Sequence, residues 1–521
     1  MPILWPVAAG WLTAELAFLW YQKQRYTLLS SAPPEGACVD RARGRVIMER
    51  LLAIDPEVLT LEDFFSGWFR GAPYELICRE NVLELTAYGF WNAKPGDLSP
   101  ELLADLEWYV SSLEEKFQVK FPTGYNHSLR YMGHLQEPLR VVHNPFVLHL
   151  CSEGVTVATS AVLRGMHFRF YRCQGFKYWI RQPKAPAMQH TGAADPSPGG
   201  HLLLPITELR SLSSVLKAEG GSAGSQHAKR VVASVEAAMG TWDWDTWHWQ
   251  PSTLASSIST SDADADKGNT TPQLFQSAAP LVFLHGVGLG LTPYIHFIWQ
   301  LMRDYPMRPI VLLECPHVSL SLCSRAVTPD VVADAVVEVL RRRRWQRAAF
   351  VAHSYGTFVL SRIVQKHQSM VESMVLIDPV CMFTMFPQLL RNFIYRLPRM
   401  QWRRGAAGII DGLRYVVSRN LVIAEAFGRK FAWHKVMLWP EEMAAQTLLV
   451  LSAGDDLVPS ALVQAHLQSL KTSCQVICHP TAPHGGFLFN RAFQGQVLEA
   501  MRQVLSQGSV LAAQSHIPSR L

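Results

Sequence analysis

The sequence predicts an α/β protein whose C-terminal half forms a mostly parallel sheet covered by helices on both faces. Three observations carry this. Short runs rich in Val, Ile and Leu recur from about residue 276 onward. Helical segments separate them, which suits parallel strands buried on both sides. Each run also ends in a loop carrying Gly, His, Ser or Asp, as expected where a sheet's carboxyl edge builds a site.

In chain order, APLVFLH is the first strand of this half, followed by a Gly-rich turn and a helix from about Tyr294. RPIVLLE is the second. Thr328-Pro329-Asp330 then starts a helix, with Thr as cap and Pro at the first helical position, continued by Val332, Val336 and Leu340. RAAFVAH, ESMVLID, QTLLVLSA and CQVICHP complete the set.

The loops carry the chemistry. Val351-Ala352-His353-Ser354-Tyr355-Gly356 ends a strand and begins a helix in one turn, with small residues at 352 and 356 flanking a serine nucleophile candidate. His285-Gly286-Val287-Gly288 follows the first strand. Asp455, four residues before Pro459, ends LVLSAGDDLVP, with Asp456 as fallback. Asp378, in VLIDPV, is a rival acid. His484 lies in Thr481-Ala482-Pro483-His484-Gly485-Gly486 after the last strand. Ser, Asp and His in this order can act as nucleophile, orienting acid and base.

These four motifs resemble those of the α/β-hydrolase family, over roughly residues 276–508. The resemblance implies a catalytic triad of Ser354, Asp455 and His484. It also implies an oxyanion hole made by the backbone N–H groups of Val287 and Tyr355, with His285, Gly286 and Gly288 shaping the supporting loop. Ala352 stands where the family usually has Gly. Haloalkane dehalogenase and epoxide hydrolase relatives need Asp at the elbow, so those activities are not expected. The family fold further implies a cap, here about 380–441, where PQLLRNFIYRLPRMQWRR and IIDGLRYVVSRNLVIAEAF read as amphipathic helices. The expected activity is hydrolysis of a hydrophobic carboxylic ester such as a lipid. Alternatives are an acyltransferase or thioesterase using the same triad, and a catalytically silent scaffold or binding protein.

The rest of the 521 residues frames this unit. Residues 3–21 carry one charge, Glu15, and precede Lys23 and Arg25, which makes 1–25 a candidate membrane anchor with the catalytic domain facing the cytosol. Within 26–184, VIMERLLAI and ELLADLEWYVSSLEEKF read as helices, and FFSGWFRGAPYELICRENVLELTAYGFW as a further buried or membrane-facing unit. PFVLHLCS, GVTVATSAVL and FRFYRCQGFKYWIR read more as strands than as helices, with helix the alternative. FFSGWFRGAP and RENVLEL are similar to segments of membrane-anchored hydrolase-like proteins of fungi and algae, which implies no defined substrate.

Residues 185–275 are rich in Gly, Ser, Ala and Asp and read as a linker, with GTWDWDTWHWQ as a strand within it. The tail 509–521 ends in Ser519-Arg520-Leu521, similar to the tripeptide that peroxisomal import receptors read. The net charge of +6 is mild, and no basic stripe interleaves with aromatics, which argues against nucleic acid as a partner. None of the nine cysteines falls in a C-x-x-C pair; no metal or cofactor is expected, and the thiols suit a reducing compartment.

Overall fold

The computed structural model describes residues 4–183, 241–243, 248–250, 279–398, 406–472 and 474–514. The linker reading of 185–275 and the Ser-Arg-Leu tail therefore fall wholly or mostly outside the described residues. Of the tryptophan-rich run, Thr241–Asp243 (β3) and His248–Gln250 (β4) pair antiparallel, two short strands where a single one packed on the core is expected. They belong to a unit, residues 185–276, separate from the one described next.

That main unit takes in residues 1–184 and 277–521 and is built on one eight-stranded sheet. Its strands are Arg169–Cys173 (β1), Phe176–Arg181 (β2), Leu281–Leu284 (β5), Ile310–Glu314 (β6), Ala348–His353 (β7), Val371–Ile377 (β8), Thr447–Ser452 (β9) and Gln475–His479 (β10). The spatial order is β1-β2-β6-β5-β7-β8-β9-β10. From β6 to β10 every pairing is parallel, and the β1–β2 hairpin joins antiparallel along β6.

Strict alternation explains why both faces are covered. Val282, Leu284, Phe350, Ala352, Leu449 and Leu451 join one core; Leu281, Phe283, Ala349, Val351, Leu448 and Val450 join the other. The second face is closed by helices α7 (Ile295–Asp304) and α12 (Arg491–Gln514), through Phe297, Leu301, Phe493 and Met501. The first is closed by α8 (Pro329–Arg342) and α9 (Tyr355–His367). The N-terminal helices α2 (Arg41–Leu52), α3 (Leu61–Trp68), α4 (Arg79–Trp91) and α5 (Pro100–Lys116) extend that same core through Met48, Phe65, Tyr88 and Leu106.

Two readings change. The main sheet does not begin at residue 276, because β1 and β2 supply its first two strands from the N-terminal region. Residues 146–165 form a 20-residue helix, α6 (Phe146–Gly165), instead of strands. Its many β-branched residues favour strand by propensity, but propensity yields to tertiary contacts. Here Ser152 and Thr159 bond inward, to the Ser319 carbonyl and the Thr292 hydroxyl. At the chain start, α1 (Leu4–Ser31) is a single helix, and Glu15 accepts the Phe146 N–H (2.9 Å) and bonds His143 (2.9 Å). Among the described residues, the helix long and apolar enough to cross a membrane is α6, not α1.

The cap region between β8 and β9 is helical, including α10 (Ala406–Ser418) and α11 (Leu421–Gly428). It buries Leu390, Phe393, Ile423 and Phe427 in the first core.

Candidate active site

Ser354 sits at the turn between β7 and α9 with φ 52° and ψ −122°. A side-chain-bearing residue in this region costs on the order of 1–3 kcal/mol and persists only where its surroundings enforce it. They do: the Ser354 N–H donates to the Ile377 carbonyl of β8 (3.1 Å), and Thr357 donates twice to the Ser354 carbonyl. Tight neighbours explain the small residues around it. A Cβ on Gly356 would lie 2.3 Å from the Leu284 carbonyl oxygen, and one on Gly286 would lie 2.9 Å from the Ser354 Cβ.

The three residues expected to act together meet here, although 130 positions separate the two outermost. His484 Nε2 is 2.8 Å from Ser354 Oγ, and His484 Nδ1 is 2.7 Å from Asp455 Oδ2. Asp455 Oδ1 accepts the N–H groups of Leu457 (2.7 Å) and Val458 (3.0 Å), which locks the carboxylate in place. Burial disfavours protonation of His484, but the Asp455 charge and hydrogen bond outweigh it, so its pKa stands above the ordinary histidine value. Such a ring holds a transferred proton well.

The other two candidate acids have different partners. Asp456 pairs with Arg396 (2.8 Å) and Arg414 (2.6 Å) of the cap, away from His484. Asp378 is fully buried at the end of β8. Its Oδ2 accepts the Gly485 N–H (2.7 Å) and lies 3.7 Å from His353 Nε2. Burial opposes its ionisation, yet the adjacent histidines and the Gly485 N–H lower its pKa overall, so it is an anion.

The 285–288 loop lies beside the elbow. His285 Nε2 accepts the Cys315 N–H (2.9 Å) and Nδ1 bonds the Gly286 carbonyl (2.7 Å). Burial drops this histidine's pKa to about 4, so the ring is a neutral brace. Gly288, at φ 144°, donates to the Val318 carbonyl. Tyr355 is the first residue of α9, so its N–H has no acceptor within the helix and is free to serve a ligand.

Sequence reasoning missed Tyr294. Its hydroxyl accepts the Gly286 N–H (3.0 Å) and bonds His353 Nδ1 (2.6 Å), so it joins the glycine loop to the residue beside Ser354. Sequence reasoning placed His317 at this end of the sheet but gave it no role; the ring bonds the Tyr355 hydroxyl (3.1 Å). Neither had a motif to reveal it, because each contact crosses between loops. Glu314, a further residue at this end of the sheet, accepts the Trp179 indole N–H (3.0 Å).

A cavity of about 910 Å³ is lined by the acid loop, including Asp455 and Val458, and by Arg70, Arg140, Arg391 and Tyr395; Ser354 and His484 do not line it.

Residues 281–494 match the profile of the alpha/beta hydrolase family. No curated protein matches the sequence. Solved structures similar to the chain include an esterase from Exiguobacterium antarcticum (14% identity, 44% of this chain and 92% of that one, TM-score 0.34). Others are a thermophilic esterase from Thermogutta terrifontis (15%, 44% and 91%, TM-score 0.32) and a deformylase from Pseudomonas putida S16 (14%, 42% and 92%, TM-score 0.30).

Proposed function

We propose that the chain, an α/β hydrolase over residues 281–494, is a serine hydrolase that cleaves a hydrophobic carboxylic ester through an acyl-enzyme on Ser354. The observation that carries this is the unbroken run of hydrogen bonds from Ser354 through His484 to Asp455.

In this mechanism the Ser354 Oγ attacks the ester carbonyl carbon while His484 Nε2 takes the hydroxyl proton. Asp455 keeps the other ring proton on Nδ1 and stabilises the imidazolium. The N–H groups of Val287 and Tyr355 hold the oxyanion. Collapse expels the alcohol, which leaves with the proton from His484. Water then repeats the sequence on the acyl-enzyme, releasing the acid and restoring Ser354.

An apolar acyl group suits the surroundings. The Tyr355 ring lies 6.3 Å from Phe427 of the cap, and Phe427 lies 4.9 Å from Phe393. Aromatic side chains thus extend from the residue after the nucleophile into the cap.

A fluorophosphonate probe on the full chain tests the mechanism: wild-type protein is labelled at Ser354 and the Ser354→Ala variant is not. Absence of labelling in folded wild-type protein leaves a scaffold or binding role instead. A series of aryl esters then tests the substrate class, with longer chains expected to give the higher kcat/KM; a preference for acetyl sinks the hydrophobic reading. Product analysis with added alcohols separates hydrolysis from acyl transfer.

A further inference from the structure

Most surface helices turn polar residues to water and apolar residues inward. In α6 the arrangement is reversed. The exposed positions Val147, Leu150, Gly154, Val157, Ala161 and Val162 follow helical spacing and carry no charge. Val157 is 67% exposed. His149, Ser152 and Thr159 are buried against the protein instead, and only 22% of the helix's apolar window is buried. His149 bonds the Leu320 carbonyl, Ser152 the Ser319 carbonyl and Thr159 the Thr292 hydroxyl, while Glu153 accepts the Leu322 N–H.

The neighbouring α1 repeats the reversal. Trp11, Leu12, Leu16, Leu19 and Trp20 are exposed, Trp20 at 63%. Glu15 and Gln22 point inward to His143, and Arg25 reaches the Ser324 carbonyl. The two helices touch where Trp11 stacks on Phe146 and Phe18 packs against the same ring at a tilt.

We infer that the outward faces of α1 and α6 form one surface that docks on a lipid bilayer, laying both helices in the acyl–headgroup boundary beside the active-site loops. The two helices contribute an uncharged stripe, about 30 Å long along α6. Exposed Leu289 and Leu322 lie on the loops that α6 holds. An aqueous surface gives such a face nothing to bond, whereas a bilayer buries it.

Charge favours this occupant. Lys23 on α1 and Arg164 on α6 are exposed, and exposed Arg172 connects to Arg164 through Phe170 and Trp179. The acidic residues of segments 4–31 and 141–172 are Glu15 and Glu153, both bonded inward. Cations at the rim and tryptophans on the face suit anionic headgroups.

The helices lie on the membrane and do not cross it. Crossing would strip Glu15, Gln22, Ser152 and Thr159 of their partners in hydrocarbon, which is costly for each group. Loops 288–292 and 315–322 would then face the lipid that supplies substrate. Gly288, in the expected oxyanion loop, donates to Val318 of the second of these. The surface stands independently of the chemistry at Ser354.

The test is flotation of the full chain with phosphatidylcholine–phosphatidylserine vesicles, together with maleimide labelling of Cys151, which is exposed on α6. Wild-type protein should float. Its Cys151 labelling should slow by about tenfold or more only when vesicles are present, while exposed Cys38 reacts unchanged. The Val157→Glu and Val162→Glu variants should lose flotation by about tenfold or more while keeping the wild-type thermal midpoint. Folded wild-type protein that stays at the bottom overturns the inference, as do variants that float like wild type. Protection of Cys151 without vesicles overturns it too, since another part of the chain or a second copy then covers the face.

Discussion

Two adjacent strand ends, those of β8 and β9, each present a buried carboxylate near His484, and their comparison shows what would make an acid part of the proposed reaction. Asp455 spends one oxygen on the imidazole and the other on two backbone N–H groups, so its charge points at the ring that must change protonation state. Asp378 spends its bonded oxygen on the N–H of Gly485, the next residue along. It holds the loop, and reaches the ring only through space. Neighbouring Asp456 makes the same point differently: one residue from Asp455, it belongs to the arginines of the cap. Sequence proximity does not confer the role; the atom that accepts the imidazole N–H does.

The largest effect sets the floor for this comparison. Ser354→Ala and His484→Ala should each lower kcat for an aryl ester by about 10⁶-fold. Asp455→Asn should cost about 10⁴-fold in kcat, since an amide at that position leaves the imidazole in the wrong tautomer. Asp378→Asn removes a charge-assisted bond to a loop N–H, so kcat/KM should fall by about tenfold to about a hundredfold. Equal losses in the two Asn variants would erase the distinction drawn here.

The pH profile sharpens it. The base must be neutral, so activity rises as pH passes the His484 pKa, which lies above the ordinary value. Without the Asp455 charge, burial dominates and the acidic limb should move to lower pH. The same limb should move less in Asp378→Asn, because Asp378 contributes less to the shift. Smallest of all, Asp456→Asn should leave kcat within about threefold, its part-exposed ion pairs being weak. Limited proteolysis at the cap is the readout for that variant.

How much of this was legible follows from range. The strands β5 to β10 announce themselves locally, through Val-, Ile- and Leu-rich runs between helices. The elbow at Ser354 and the loop at His484 are short motifs whose chemistry needs those residues at that spacing. The loop-holding bond of Asp378 spans 107 positions and leaves no local trace, and Tyr294 reaches His353 across 59. The β1–β2 hairpin shows strand character, but its place along β6 depends on a partner far along the chain. In α6, Val155, Thr156 and Val157 suggest strand, and the helix shows itself only once its polar side finds the 315–322 loop.

The edge of the sheet at β6 has a practical consequence. Arg181, the last residue of β2, and Leu281, the first of β5, both lie opposite Ile310, one on each side of it. Two strand spacings separate them, about 10 Å. The long excursion from 182 to 280 therefore departs and returns at almost one point, at the amino ends of the parallel strands, whereas Ser354, Asp455 and His484 follow their carboxyl ends. A handful of Gly and Ser residues could bridge that gap. A direct join between 181 and 281 would thus be made at the end of the sheet away from Ser354, Asp455 and His484.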